Sequence, residues 1–261
     1  MGLQSSDRRR LAATRASARA ARRPLRAVAA LALGALAAAA GAGCSVKSES
    51  DVNLIAGKQQ FVAKCGSCHT LARASTKGIV GPNLDEAFRA SLAEGEKRNT
   101  VRGVVEGQIQ IPNPEGAMPK DLVKGRAVRD VAAYVARSVD RAGQDTGLLA
   151  TAVAPAGAGK PAEEKGGKLS IAASPTGQLA YVTNKAIANP GSVTVEMPNL
   201  SGVDHNIAIQ QAKNGPVLGS SPIIPKGTAK TTVTLKPGTY AFFCEVPGHR
   251  QAGMEGTLTV K

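Results

Sequence analysis

Five of the seven cysteines and histidines of this 261-residue chain are gathered into two short stretches. The first is Cys65-Gly66-Ser67-Cys68-His69. Two thiols in C-x-x-C can add to the vinyl groups of one haem as thioethers, and a histidine directly after them can ligate its iron. A redox dithiol does not require that histidine, and half a zinc site would need ligands that no second C-x-x-C or H-x-x-x-H supplies. The second stretch is FFCEVPGHRQAGM, in which Cys244, His249 and Met254 follow one another at five-residue intervals. Cysteine, two histidines and a weak axial methionine are the ligand set of a one-copper electron-transfer site. His205, in VDHNIAI, is the histidine left to complete it. Taken singly, Cys244 reads as a core thiol, His249 as a surface loop residue, Met254 as a core side chain and His205 as structural. Their joint spacing after an aromatic strand argues for metal.

What is missing narrows the chemistry. A binuclear copper centre needs a second cysteine between Cys244 and His249, where Glu245, Val246, Pro247 and Gly248 stand. Catalytic copper needs further histidines. The remaining cysteine, Cys44, follows an apolar run, so no pair is left for a structural disulfide. Of the methionines beyond the initiator, Met118 sits among Pro112, Pro114 and Pro119 in a loop that cannot be regular helix, and Met197 reads as core.

Several elements must position these groups. The net charge of +14 suggests nucleic acid until it is located. Residues 1–26 carry eight arginines and one aspartate, so half the excess lies in a leader. With no tryptophan, three tyrosines and four phenylalanines there is little to stack on bases, and no nucleic-acid partner is expected. A basic region, the apolar run Ala27 to Gly43 and Cys44 together read as an export signal over residues 1–44. The run resembles a bacterial lipoprotein signal, which implies a lipid on Cys44. A retained N-terminal membrane helix and a plain cleaved signal remain open. Residues 45–140 carry helical patterning, with Val128, Val131, Ala132 and Val135 on one face of a helix expected over Lys120 to Arg137. Residues 141–168, rich in alanine, glycine and proline, read as a flexible linker. From residue 169 to 261 the segments LAYVTNKAIA, GSVTVEM, NIAIQ, TAKTTVTL, GTYAFFC and GTLTVK read as short strands of an all-β sandwich or barrel.

Gly57, Phe61 and Cys65 on one helical face, CGSCH, Gly81-Pro82-Asn83-Leu84 and PEGAMPK together resemble class I cytochrome c domains. The resemblance implies an all-α fold, one covalent haem c on Cys65 and Cys68, and His69 and Met118 as iron ligands. It also implies that Tyr134 packs against the first helix near Gly57. The HNI segment and the C-x-x-x-x-H-x-x-x-x-M loop resemble cupredoxins of auracyanin and plastocyanin type. That implies a Greek-key sandwich with one type 1 copper on His205, Cys244, His249 and Met254, and Asn206 hydrogen-bonding across the cysteine loop.

The whole therefore reads as a multidomain chain, an all-α cytochrome c domain followed by an all-β cupredoxin domain. It is expected to be an exported, membrane-tethered one-electron carrier, not an enzyme, at the outer face of the cytoplasmic membrane or in the periplasm. Its partners would be redox protein donors and acceptors, with no small-molecule substrate. An electron-entry subunit of a larger oxidase or reductase, and a copper storage or delivery protein, are the alternative readings.

Overall fold

The computed structural model describes residues 52–212 and 214–261; the leader and Cys44 lie outside the described residues. The helical half begins with α1 (Leu54–Lys64), whose first turn is capped by the Asn53 side chain accepting from Ala56 N at 3.0 Å. A short hairpin follows, β1 (Thr70–Leu71) and β2 (Thr76–Lys77), then α2 (Leu84–Ala87), α3 (Arg89–Ala93), α4 (Arg98–Gln110) and α5 (Arg126–Ser138). Helices α1 and α5 cross closely at Gly57, where a Cβ would collide with the Asp130 carbonyl. Tyr134 fills the space beside that crossing, fully buried, with its ring centroid 6.2 Å from Phe61. This is the aromatic contact near Gly57 that the sequence led one to expect. Asp130 also accepts from Asn53 N at 2.8 Å, which fastens the start of α1 to α5.

The last helix is shorter than the expected span. Lys120 to Gly125 is not helical, because Gly125 takes φ 58°, ψ −128° and Asp121 takes φ 63°. The four apolar positions of the helix are all buried, as their spacing required.

Residues 141–168 differ from the flexible coil expected of their composition. Asp145 is buried, accepts from the Tyr134 hydroxyl at 2.8 Å, and pairs with Lys58 at 3.0 Å and Arg73 at 3.1 Å. Lys58 Nζ also donates to Leu149 O at 2.7 Å, and Gln59 Nε2 to Ala152 O at 3.0 Å. The segment is therefore strapped along α1 by polar bonds, a device that an apolar-periodicity reading does not register.

The second half is a β-sandwich. One sheet runs in the order β3 (Ala162–Glu163), β5 (Lys185–Ala188), β11 (Glu255–Val260), β10 (Gly238–Phe243), β7 (Ala208–Gln211), β8 (Val217–Ser220). The other runs β4 (Lys168–Ser170), β6 (Gly191–Asn199), β9 (Gly227–Leu235). Between them lies a core that includes Leu169, Val195, Met197, Ile209, Phe242 and Leu258. Alternate residues of β6 from Val193 to Asn199 are buried, the period-two pattern of a strand with one covered face. Of the stretch LAYVTNKAIA only Lys185–Ala188 is regular strand. Its earlier residues make isolated bridges from Tyr181 to Ala173 and from Thr183 to Ala158. No helix among the described residues is long and apolar enough to cross a membrane.

Candidate metal centres

Strand β10 delivers Cys244 into the core end of the sandwich, 1 % exposed, where its N–H donates to Met254 O at 3.1 Å. The intervening loop closes on itself. His249 N donates to Val246 O at 3.0 Å and Met254 N to His249 O at 2.9 Å, around a single turn, α6 (His249–Ala252). Gly248 (φ +84°) and Gly253 (φ +110°) bound that turn in left-handed backbone that a side chain would strain. Arg250 lies over the Phe243 ring at 3.9 Å and donates to Glu255 at 3.0 Å, which pins the outer side of the loop.

His205 arrives from elsewhere, held by reciprocal backbone bonds with Ile224 at 3.1 and 2.9 Å, and it is fully buried. Its Nδ1 stands 3.1 Å from His249 Nδ1, and Cys244 Sγ stands 3.5 Å from that same His249 nitrogen. One donor atom from each of the three residues lies within 4.8 Å of the others. Met254 is buried in the same core cluster as Cys244. The structure thus brings together the three strong donors named from the sequence.

The arrangement fits a metal better than it fits a hydrogen-bonded trio. Two ring nitrogens 3.1 Å apart can share at most one proton, whereas both can bind one ion at the usual ~2.0 Å ring-nitrogen bond length. Burial pushes His205 down to about 4, with the His249 ring adding to the effect. Burial also lowers His249, against the opposing pull of Asp204. Both rings are therefore neutral near pH 7, the state that ligates. Burial raises the Cys244 thiol, while hydrogen bonds from the backbones of Asn206 and Val246 work the other way. A bound ion would displace its proton. His205 Nε2, buried, has no hydrogen-bond partner among the described residues.

Asn206 does bond across the cysteine loop, with Glu245 as its partner, and its carbonyl accepts from the Tyr181 hydroxyl at 2.7 Å. Its side chain also donates to Ser221 O at 3.2 Å. Glu245, Tyr181 and Ser221 were not singled out from the sequence. Their roles depend on strand register, which no local motif encodes.

In the helical half, Cys65 caps α1, and Cys68 N and His69 N donate back to Cys65 O at 3.1 and 2.9 Å. The hairpin then returns the chain over the motif, with Gly81 N donating to Cys68 O at 2.8 Å. His69 Nδ1 lies 2.9 Å from Pro82 O. A carbonyl only accepts, so Nδ1 carries the proton and Nε2 keeps the lone pair that iron requires. A Cβ on Gly81 would overlap the His69 ring, so the Gly-Pro pair cradles that ring from one side. Burial, then the neighbouring Cys68, pushes the Cys65 thiol up to about 12, so it stays protonated as a free group. Met118, half-buried, packs against the same helical core as Cys65, and Gln108 Nε2 approaches its sulfur at 4.0 Å. At this motif the structure thus sets out two free thiols, a histidine with its Nε2 lone pair open, and a glycine-proline pair against the ring.

The sequence profile of the family described as "Copper binding proteins, plastocyanin/azurin family" matches residues 169–261. Among solved structures, reduced auracyanin from Roseiflexus castenholzii is 25% identical, with 38% of this chain and 99% of that chain covered and a TM-score of 0.34. Auracyanin B is 24% identical, with 41% and 96% covered and a TM-score of 0.33. Rusticyanin from Thiobacillus ferrooxidans is 21% identical, with 38% and 80% covered and a TM-score of 0.28. No protein of curated function matches the chain. The C-terminal part is a cupredoxin-like β-sandwich with a His-Cys-His candidate site for copper.

Proposed function

We propose that the chain is a one-electron carrier with a type 1 copper on His205, Cys244, His249 and Met254 and a haem c on Cys65, Cys68, His69 and Met118. The observation that carries the reading is the convergence of His205 Nδ1, His249 Nδ1 and Cys244 Sγ in a buried pocket of the sandwich. Support for the haem comes from the His69–Pro82 bond, which leaves Nε2 of that ring with its lone pair free for a metal. The proposal includes export, tethering through Cys44 at the outer face of the cytoplasmic membrane, and redox proteins as donor and acceptor.

When bound, each metal would supply a one-electron couple, and a methionine ligand would favour the reduced form of the iron. The chain holds donors still. Hydrogen bonds close the 244–254 loop on itself, and Asn206 ties it to the strand entry that carries His205. Buried His205, Cys244 and Met254 keep water from the donor atoms. A fixed geometry lowers the rearrangement that accompanies each electron transfer. Metal analysis and intact mass of protein purified from an exporting host test the reading. The expected result is one copper per chain and a mass increase of one covalent haem. A chain with neither contradicts it.

A further inference from the structure

Two glycines of the β-sandwich half touch the helical half, and both touch it beside the Cys65–His69 motif. Gly177 (φ +74°) lies against the carbonyl of Ala63, two residues before Cys65, where a Cβ would stand 2.5 Å from that oxygen. Gly248, the residue before His249, lies against Ile79, where a Cβ would stand 2.9 Å from Ile79 Cδ1. Ile79 itself is anchored to the motif. Gly78 approaches the Ser67–Cys68 backbone too closely for any side chain, the Thr70 hydroxyl donates to Gly78 O at 2.9 Å, and Gly81 N donates to Cys68 O at 2.8 Å. The segment between the halves supports the same arrangement, since Gln178 Nε2 donates to Ala154 O at 3.1 Å and Asp145 is locked to Lys58 and Arg73.

Resting on the function proposed above, we infer that Gly248 on Ile79 is an intramolecular crossing point that couples the two candidate metal sites within one chain. The route is short. It runs from His249 through one peptide bond to Gly248, across a single van der Waals gap to Ile79, and through Val80 and the Gly81–Cys68 hydrogen bond to the second thiol of the motif. One electron crosses, the reduced centre is oxidised by one unit and the other reduced by one, and no proton or covalent bond changes. A glycine at 248 serves two ends here. It permits the left-handed turn that presents His249, and it lets an apolar side chain rest on the backbone next to a ligand.

Isoleucine-methyl-labelled full-length protein carrying haem and either copper or zinc, both samples fully oxidised, tests the contact. Paramagnetic Cu(II) is expected to erase the Ile79 δ1 methyl signal that the zinc sample retains. A blue copper sample in which that signal persists unchanged overturns the inference while leaving the copper reading intact. A sample that takes up no copper removes both, and its lack of a blue band identifies that failure. Pulse reduction supplies the second arm. Redistribution of the electron between centres at a rate independent of protein concentration is expected, and a rate proportional to concentration overturns the crossing.

Discussion

Asn206 and Glu245 are joined twice: Glu245 N donates to Asn206 Oδ1 at 2.8 Å, and Asn206 Nδ2 donates to Glu245 Oε2 at 2.7 Å. The first residue follows His205 and the second follows Cys244, so the pair ties two candidate ligands that lie 39 residues apart in the chain. Ligand geometry in this site is thus held by bonds that do not involve the ligands' own donor atoms.

Replacing Asn206 with alanine leaves the Glu245 N–H unpaired and frees one side of the cysteine loop. The expected cost is about 1–3 kcal/mol in unfolding free energy, together with faster loss of copper to a chelator. Denaturant unfolding of the metal-free protein and a competition assay on the loaded one measure the two effects separately. A variant matching the parent in both would show that the double bond holds nothing.

Asp145 is the centre of a buried network with Lys58, Arg73 and Tyr134. Burial opposes its ionisation, but hydrogen bonds from Tyr134, Lys58 and Arg73 outweigh that and hold its carboxyl below the ordinary 3.8. A carboxyl lowered on folding adds stability that is complete above its unfolded value and disappears as pH falls through its folded value. Asp145→Ala is therefore expected to lose about 3–5 kcal/mol near neutral pH, with the gap to the parent closing below pH ~4. Thermal unfolding across that range checks both size and sign.

Met118 tests the haem side. Met118→Ala is expected to open the iron to added imidazole or azide and to lower its potential. Optical titration with either ligand reads the outcome. A spectrum that ignores both ligands would remove Met118 from the ligand set.

Gly81→Ala places a methyl group inside the space of the His69 ring. The ring must leave Pro82 O, so the imidazole loses the bond that sets its tautomer. A shifted haem spectrum and weakened folding are expected, both visible in one thermal melt followed at the haem absorption band. An unperturbed melt would mean that the cradle yields without cost.

How much of this was legible beforehand follows from the range of each interaction. Cys244, His249 and Met254 could be read together because one short loop carries them, with Gly248 and Gly253 marking its turns. His205 was reached by elimination, since no other histidine was free. The packing of Tyr134 against the first helix near Gly57 was implied by the resemblance to class I cytochrome c domains, and its partner ring, Phe61, emerged only from the fold. The Asp145 latch stayed hidden because an isolated aspartate in an alanine- and glycine-rich stretch looks solvated until Lys58 and Arg73 are brought to it by folding. Val217–Ser220 was missed as a strand because it is short, mostly exposed and paired at only one edge, with β7. The early end of LAYVTNKAIA was over-read for a related reason. Asn184 N is turned to Gly157 O in the strap, outside any regular ladder.

The central claim is that Cys244, with His205 and His249, holds copper as a thiolate. Electron paramagnetic resonance of the oxidised protein, beside its Cys244→Ser variant, addresses it most directly. The account predicts a cupric signal with narrow parallel hyperfine splitting and an intense blue band in the parent, both abolished by the substitution while the haem spectrum stays. Wide splitting in the parent, or a narrow signal that survives the loss of Cys244, would contradict it.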